Sequence, residues 1–308
     1  MVSFYLPILA EMSNTLKVHL SLLIVSLIYG ATFSMAKIIM PSLIEPYGFI
    51  LLRVLSGAVL FLIVHTLFVK EKVERKDLAP LAISAFFGVA ANMLMFFKGL
   101  AITSPINGSV LMLVTPVFVL VLSTIIYKES LHWQKVSGVL MAAVGALFLI
   151  GGWRLRFEAD KVVGDIFIIF NALSYAIYLV YVRKLMRKYS PITVSKWNFL
   201  FGFLFVLPFG LEELKAVDWS LYGSVEWGII AFVLLGTTFL TYLLNAYALG
   251  HASATLVGSY IYLQPVVATI LAIIWKQDEL NTLKVIYILT IFAGVYLVSF
   301  KKKQINGN

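Results

Sequence analysis

Asn171, Ser174, Tyr175, Tyr178 and Tyr181 recur every three or four residues within an otherwise apolar run, a spacing that gathers them on one side of a helix. Comparable stripes are Ser26, Tyr29, Gly30, Phe33 and Lys37; Asn92, Phe96 and Gly99; and Thr238, Thr241, Tyr242 and Asn245. A further run carries Thr255, Ser259 and Tyr262 on one stripe and Tyr260 and Gln264 on another. The chemistry such residues offer is reversible binding. Amides are costly to leave facing hydrocarbon, so Asn92, Asn171, Asn245 and Gln264 are expected to point into a helix bundle or a wet cavity. Aromatic rings add area, polar tips and cation–π faces without a fixed charge. The candidate binding residues are therefore Tyr29, Phe33, Asn92, Phe96, Asn171, Tyr175, Tyr178, Thr241, Tyr242, Asn245, Tyr260 and Gln264. They suit a neutral, zwitterionic or weakly cationic amphipathic small molecule better than a phosphorylated one, which would call for clustered Arg or Lys. The plainer use of the Ser, Thr and Gly residues is close helix approach and interhelical hydrogen bonding.

Ionisable groups inside the apolar runs are few. Lys37, Arg53 and Lys98 lie in the outer parts of their runs, and every acidic residue lies at a run end or between runs. Lys98 is the one candidate for a charge or coupling site, the group that would serve protons if protons drive the chain; the competing reading is that it snorkels to the interface. Lys37 and Arg53 read as anchors or as partners of Glu45. The four histidines lack the paired spacing of a metal site, and there is no cysteine, so metal, thiol and redox chemistry are not expected. Pro116 and Pro265 each remove a backbone donor deep in a run, which makes a hinge or a static kink. No H-E-x-x-H, G-x-S-x-G or G-x-x-x-x-G-K-[ST] pattern is present, so no enzymatic centre, cofactor or nucleotide-hydrolysing site is expected.

The elements that must position these residues follow from composition. Hydrophobic residues make up 61% and charged residues 13% of 308, against roughly a quarter charged in soluble domains. Ten apolar runs, each long enough to cross a bilayer, cover about residues 18–38, 47–69, 78–102, 104–127, 133–152, 164–186, 194–211, 225–249, 253–275 and 283–300. Barrel strands would alternate in polarity, so the spans are helices and the class is all-α, integral to the membrane. Ile102 to Pro105 reads as a tight reversal. Trp133, Trp153, Trp197, Trp219, Trp227 and Trp275 all fall near span ends, where indoles favour the interface. No removable signal peptide is expected, and Met12 is a second candidate start. Lys17, Lys70, Lys72, Arg75, Lys76, Lys128, Lys135, Arg183, Lys184, Arg187, Lys188, Lys196 and Lys301 to Lys303 share one face if spans alternate, which places both termini in the cytoplasm. The net charge of +9 then meets anionic lipid and requires no nucleic acid.

Two stretches repeat in register: GLAITSPINGSVLMLVTPV from Gly99 and ALGHASATLVGSYIYLQPV from Ala248. The same offset pairs Pro116 with Pro265 and Gly145 with Gly294. The loop from Lys70 is basic while its counterpart from Leu211 is net acidic, so the five-helix halves, residues 18–152 and 164–300, are expected to be inverted, with an N-terminal tail 1–17, a linker 153–163 and a C-terminal tail 301–308. The passages from Gly99 to Glu129 and from Ala248 to Asp278 resemble the drug/metabolite transporter superfamily, specifically its EamA family. His251 and Gln264 depart from the usual pattern. The resemblance implies a bacterial inner-membrane carrier that works by alternating access and exports a metabolite, amino acid or drug. A channel is the rival, although no ring of charges or carbonyl filter is found; an intramembrane enzyme is the more distant one.

Overall fold

The computed structural model describes residues 13–40, 42–103, 105–128, 131–151, 159–274 and 279–299. Ten helices long and apolar enough to cross a membrane appear among them. In chain order they are α1 (Asn14–Ile39), α2 (Pro46–Val69), α3 (Arg75–Ile102), α4 (Pro105–Met112 continued by Thr115–Tyr127), α5 (Trp133–Ile150), α6 (Val162–Lys188), α7 (Pro191–Lys215), α8 (Ser224–His251), α9 (Ala254–Ser259 continued through Ile274) and α10 (Thr282–Ser299). All ten expected spans are present. Helix α1 starts at Asn14, so the last residues of the expected N-terminal tail are helical. The tail 301–308, most of the linker, Trp153 and Trp275 lie outside the described residues.

Polarity is arranged for lipid. Along α10, Leu283, Ile286, Leu289, Phe292 and Tyr296 are exposed at helical spacing, while Ile291, Gly294, Val295 and Val298 turn inward. The apolar effect cannot drive helices together in this solvent, so close packing of small residues must do so. Helix α5 packs on its repeat mate α10, and α2 on its mate α7. A Cβ at Gly138 would lie 2.6 Å from the Gly294 carbonyl oxygen, and one at Gly145 would lie 2.9 Å from the Tyr287 carbonyl oxygen. The two contacts run in opposite chain directions and exchange under the repeat offset. Mates α5 and α10 are therefore antiparallel about a two-fold axis, as inverted halves require. The remaining contacts obey the same exchange: α3 packs on α6 as α8 packs on α1, and α4 meets α6 as α9 meets α1.

Both repeated prolines break their helices. Val114 N–H bonds Leu111 O at 3.2 Å and Leu113 N–H bonds Val110 O at 3.0 Å, a tightened turn just before Thr115 and Pro116. In α9 residues Tyr260–Leu263 form a 3₁₀ turn, and Gln264 N–H returns to Ile261 O, the carbonyl that Pro265 leaves without its usual donor. Helices α3 and α8 contain π segments, Phe86–Ala90 and Phe232–Leu240, at corresponding places in the two repeats.

The carbonyl at Gly138 is backbone, so it cannot yield to a new side chain. Gly138→Val is expected to destabilise the fold by about 2–4 kcal/mol, whereas Gly228→Ala, with nothing within 4 Å, is expected to be neutral or slightly stabilising. Thermal unfolding in detergent, followed by intrinsic fluorescence, checks both.

Candidate binding cavity

The two π segments place the site. A π segment disturbs the regular ladder and presents carbonyls that other helices must satisfy. In α3, Phe87 O accepts from Ser174 Oγ of α6 at 2.8 Å and Gly88 O accepts from Tyr242 Oη of α8 at 3.1 Å. Two residues past that segment, Asn92 O accepts from Asn171 Nδ2 at 2.6 Å. In α8, Thr238 Oγ1 donates back to Val233 O at 2.9 Å, and the Thr237 and Thr32 hydroxyls meet at 2.6 Å across α1 and α8. Thr241 Oγ1 donates to Tyr29 Oη at 3.3 Å.

Between these helices is a cavity of 410 Å³. Of the residues expected from sequence, Tyr29, Asn92, Phe96, Asn171, Tyr175, Tyr242 and Gln264 line it. Thr241 lies behind the wall, fully buried and bonded to Tyr29. Tyr178 is also buried outside the lining, its ring stacked on Tyr175 at 5.9 Å and pressed on Gly88. Asn245 is buried away from the lining, and Tyr260 meets His19, with Oη 2.5 Å from Nδ1. The side chains of Phe33 and Lys37 lie outside the described residues. Lys98 is exposed on α3 and is not among the lining residues.

The residue that sequence reading misplaced is Arg53. It is 6% exposed, lines the cavity, donates from Nε to Thr238 Oγ1 at 3.1 Å and lies 6.0 Å over the Phe97 ring. It is thus an anchor in part, as expected, but of α8 rather than of Glu45. A lone Arg seven residues into an apolar span was the available signal; what hid its role is that the π segment in α8, which presents Thr238 to it, leaves no mark in residue spacing. Thr32, Thr237, Met93, Phe97, Met112 and Ile261 also line the cavity unforeseen. Met112 and Ile261 are equivalent in the two repeats, and each is the residue whose carbonyl the proline four positions on leaves without its donor.

Among the described residues the cavity lining extends to the junctions of one face. It runs from Thr237 and Tyr242 in mid-helix to Met40, Pro46 and Ala101, at the junctions on the face opposite the basic loops. At the basic face the α2–α3 junction is tied to the α6–α7 junction. Lys188 Nζ pairs with Glu74 at 2.7 Å and with Asp77 at 2.5 Å, Tyr189 Oη donates to Asp77 at 2.6 Å, and Ser190 N–H donates to Glu71 at 2.9 Å. Among the described residues no group of three His, Cys, Asp or Glu is placed to hold a metal ion.

Removing a hydroxyl that satisfies a π-segment carbonyl leaves that carbonyl buried without its partner. Ser174→Ala and Tyr242→Phe are each expected to lower stability by roughly 0.5–2 kcal/mol, with the double variant adding nearly in full because Phe87 O and Gly88 O are separate acceptors. Denaturation midpoints of the three proteins check this.

The model of the EamA-like transporter family matches this chain twice, over residues 16–151 and 162–300. The chain is 27% identical over 259 residues to "Uncharacterized transporter YetK" of Bacillus subtilis (strain 168), covering 82% of this chain and 78% of that protein. It is 27% identical over 292 residues to an "Uncharacterized transporter" of Archaeoglobus fulgidus, covering 94% of this chain and 99% of that protein. A crystal structure 18% identical in sequence superposes with a TM-score of 0.75 over 93% of this chain and 96% of that one, a likeness of fold. Two family matches, one on each five-helix half, and ten apolar helices around a cavity lead to one conclusion: this multi-pass membrane protein belongs to the EamA-like transporter family.

Proposed function

We propose that the chain is a secondary active transporter that carries a small amphipathic solute across the cytoplasmic membrane by alternating access, in the export direction. The observation that carries the reading is a central cavity whose lining extends to one face, while ion pairs and hydrogen bonds tie the α2–α3 junction to the α6–α7 junction at the other. A channel would need a continuous path, and the closure at Lys188, Glu74 and Asp77 argues against one. The basic face is the cytoplasmic one, by the charge of its loops and with both termini on it, so the described conformation faces outward. Residues 18–152 and 164–300 are the moving units, and the broken turns before Pro116 and Pro265 are their hinges. Export is carried by family resemblance alone.

The closing network is fastened by charge. Lys188 and Lys76 beside Glu74 hold its carboxyl below the ordinary carboxylate value. A depressed carboxyl contributes its closure above the ordinary value, about pH 4, and loses it as pH falls through the depressed one. Lys188→Ala removes the shared cation at any pH. The chain has no cysteine, so a single Met112→Cys reporter in the cavity wall can be read without background. In oriented vesicles, Lys188→Ala is expected to raise labelling of that reporter from the cytoplasmic side several-fold, and acidifying the cytoplasmic side below about pH 4 to do the same in the parent. Labelling from that side unchanged in both cases contradicts the gate.

No carboxylate is among the described residues lining the cavity, and Lys98 is exposed outside it. Both observations support the snorkelling reading of Lys98. Lys98→Met is expected to leave accumulation of substrate against a gradient within twofold of the parent in reconstituted vesicles; accumulation lost with exchange retained would restore Lys98 as the coupling group.

A further inference from the structure

We infer that the solute this cavity accepts bears a carboxylate, and that the guanidinium of Arg53 binds it. The inference rests on the transport reading above and names the class of molecule carried. A guanidinium has five N–H donors and cannot shed its charge in a protein. Among the described residues Arg53 spends one, Nε, on Thr238 Oγ1 at 3.1 Å, and no Asp or Glu stands within ion-pair distance of it. The group is nonetheless 6% exposed and lines the cavity. A buried cation is costly unless it is paired, and the partner missing from the protein is supplied by cargo. Nε is held by Thr238, which leaves the terminal nitrogens to offer the parallel N–H pair that a carboxylate accepts in bidentate fashion.

Beside the charge is the Phe97 ring, and the lining also holds Phe96, Tyr175, Met93 and Met112 together with the amides of Asn92, Asn171 and Gln264. A single anionic head and an apolar body therefore fit together, and a volume of 410 Å³ suits a body of modest size. A permanent cation without a carboxylate is opposed by Arg53. A dianionic phosphate would leave charge unmatched, since no second Lys or Arg is among the described lining residues. The expectation of a neutral, zwitterionic or weakly cationic solute thus keeps its zwitterions, loses its cations and extends to monocarboxylate anions. Thr238, which fixes the guanidinium, lies in the π segment Phe232–Leu240 of α8.

The test uses full-length protein in vesicles and probes that differ only at the head group: leucine and 4-methylpentanoate against leucinamide and 3-methylbutylamine, with phenylalanine and its amide as a larger pair. The parent is expected to carry the carboxylates at least tenfold faster than their amides and amines. Arg53→Gln is expected to erase that ratio, and Arg53→Lys, which keeps the charge but loses the fork, to reduce it to an intermediate value. The ratio within one variant is the readout, since a general folding defect lowers all rates together. Thr238→Val, which leaves Arg53 in place but unfixed, is expected to weaken carboxylate carriage more than amide carriage. A parent that carries amides or amines as well as carboxylates, or an Arg53→Gln protein that keeps the ratio, overturns the inference and leaves the transporter intact. A parent that moves no member of the panel while folded by its unfolding transition overturns the transport reading, and the inference with it.

Discussion

In hydrocarbon there is no water to complete an unfinished hydrogen bond, so the backbone polar groups of the bundle must find their partners within the chain. The architecture of this protein depends on that constraint. Regular helix satisfies most of the backbone, and where the helices depart from it, at the π segments of α3 and α8 and at the turns before Pro116 and Pro265, the departures collect around one space. Ser174, Tyr242 and Asn171 reach across helices to carbonyls of α3, and Thr32 and Tyr29 meet Thr237 and Thr241 of α8. Irregular backbone at membrane depth is tolerated where it borders a cavity, and here it borders the cavity between Arg53 and Tyr175.

Duplication doubles each of these devices. The antiparallel contact of Gly138 with Gly294 and of Gly145 with Tyr287 holds the halves at α5 and α10 through backbone close approach, a joint that resists change. The junctions at the basic face are held instead by side chains of charge and hydroxyl, which exchange partners cheaply because water is near. Firm contacts lie along the helix mates and breakable ones at the faces, as a carrier that rocks about its middle needs. Met112 and Ile261, one in each half, bring the two proline turns into the same wall, so a change at either turn alters the cavity itself.

The spans were legible in the sequence because hydropathy is the solvent's own signature, and α2, α3, α5 and α10 depart from their expected ends by only a few residues. The helix faces were legible too: Tyr29, Asn92, Phe96, Asn171, Tyr175, Tyr242 and Gln264 do line the cavity. Depth along a face was not. Tyr178 lies one turn below Tyr175 on the same stripe, yet packs on Gly88, because periodicity fixes an angle around the axis and says nothing about where the bundle closes. Tyr260 and Asn245 failed for the same reason. Arg53 was hidden differently. Its Thr238 partner is presented by a π segment, and residue spacing, which assumes a regular 3.6-residue turn, cannot register the rotation. Tyr222, a residue between α7 and α8 that reads as loop, is buried against Trp219 and Trp227 with its hydroxyl on Leu43 O, a local aromatic cluster that no periodic pattern announces.

Alternating access, as proposed above, requires the two ends of the bundle to open in turn. Electron–electron distances between spin labels at Lys72 and Lys184, on the basic face, and between labels at Ala101 and Ser220, one in each half on the opposite face, are the decisive measurement. Two populations are expected in lipid, the first distance short when the second is long and the reverse, with their ratio shifted by a transported solute. Transport that proceeds while both distances stay fixed, or while both lengthen together, contradicts alternating access.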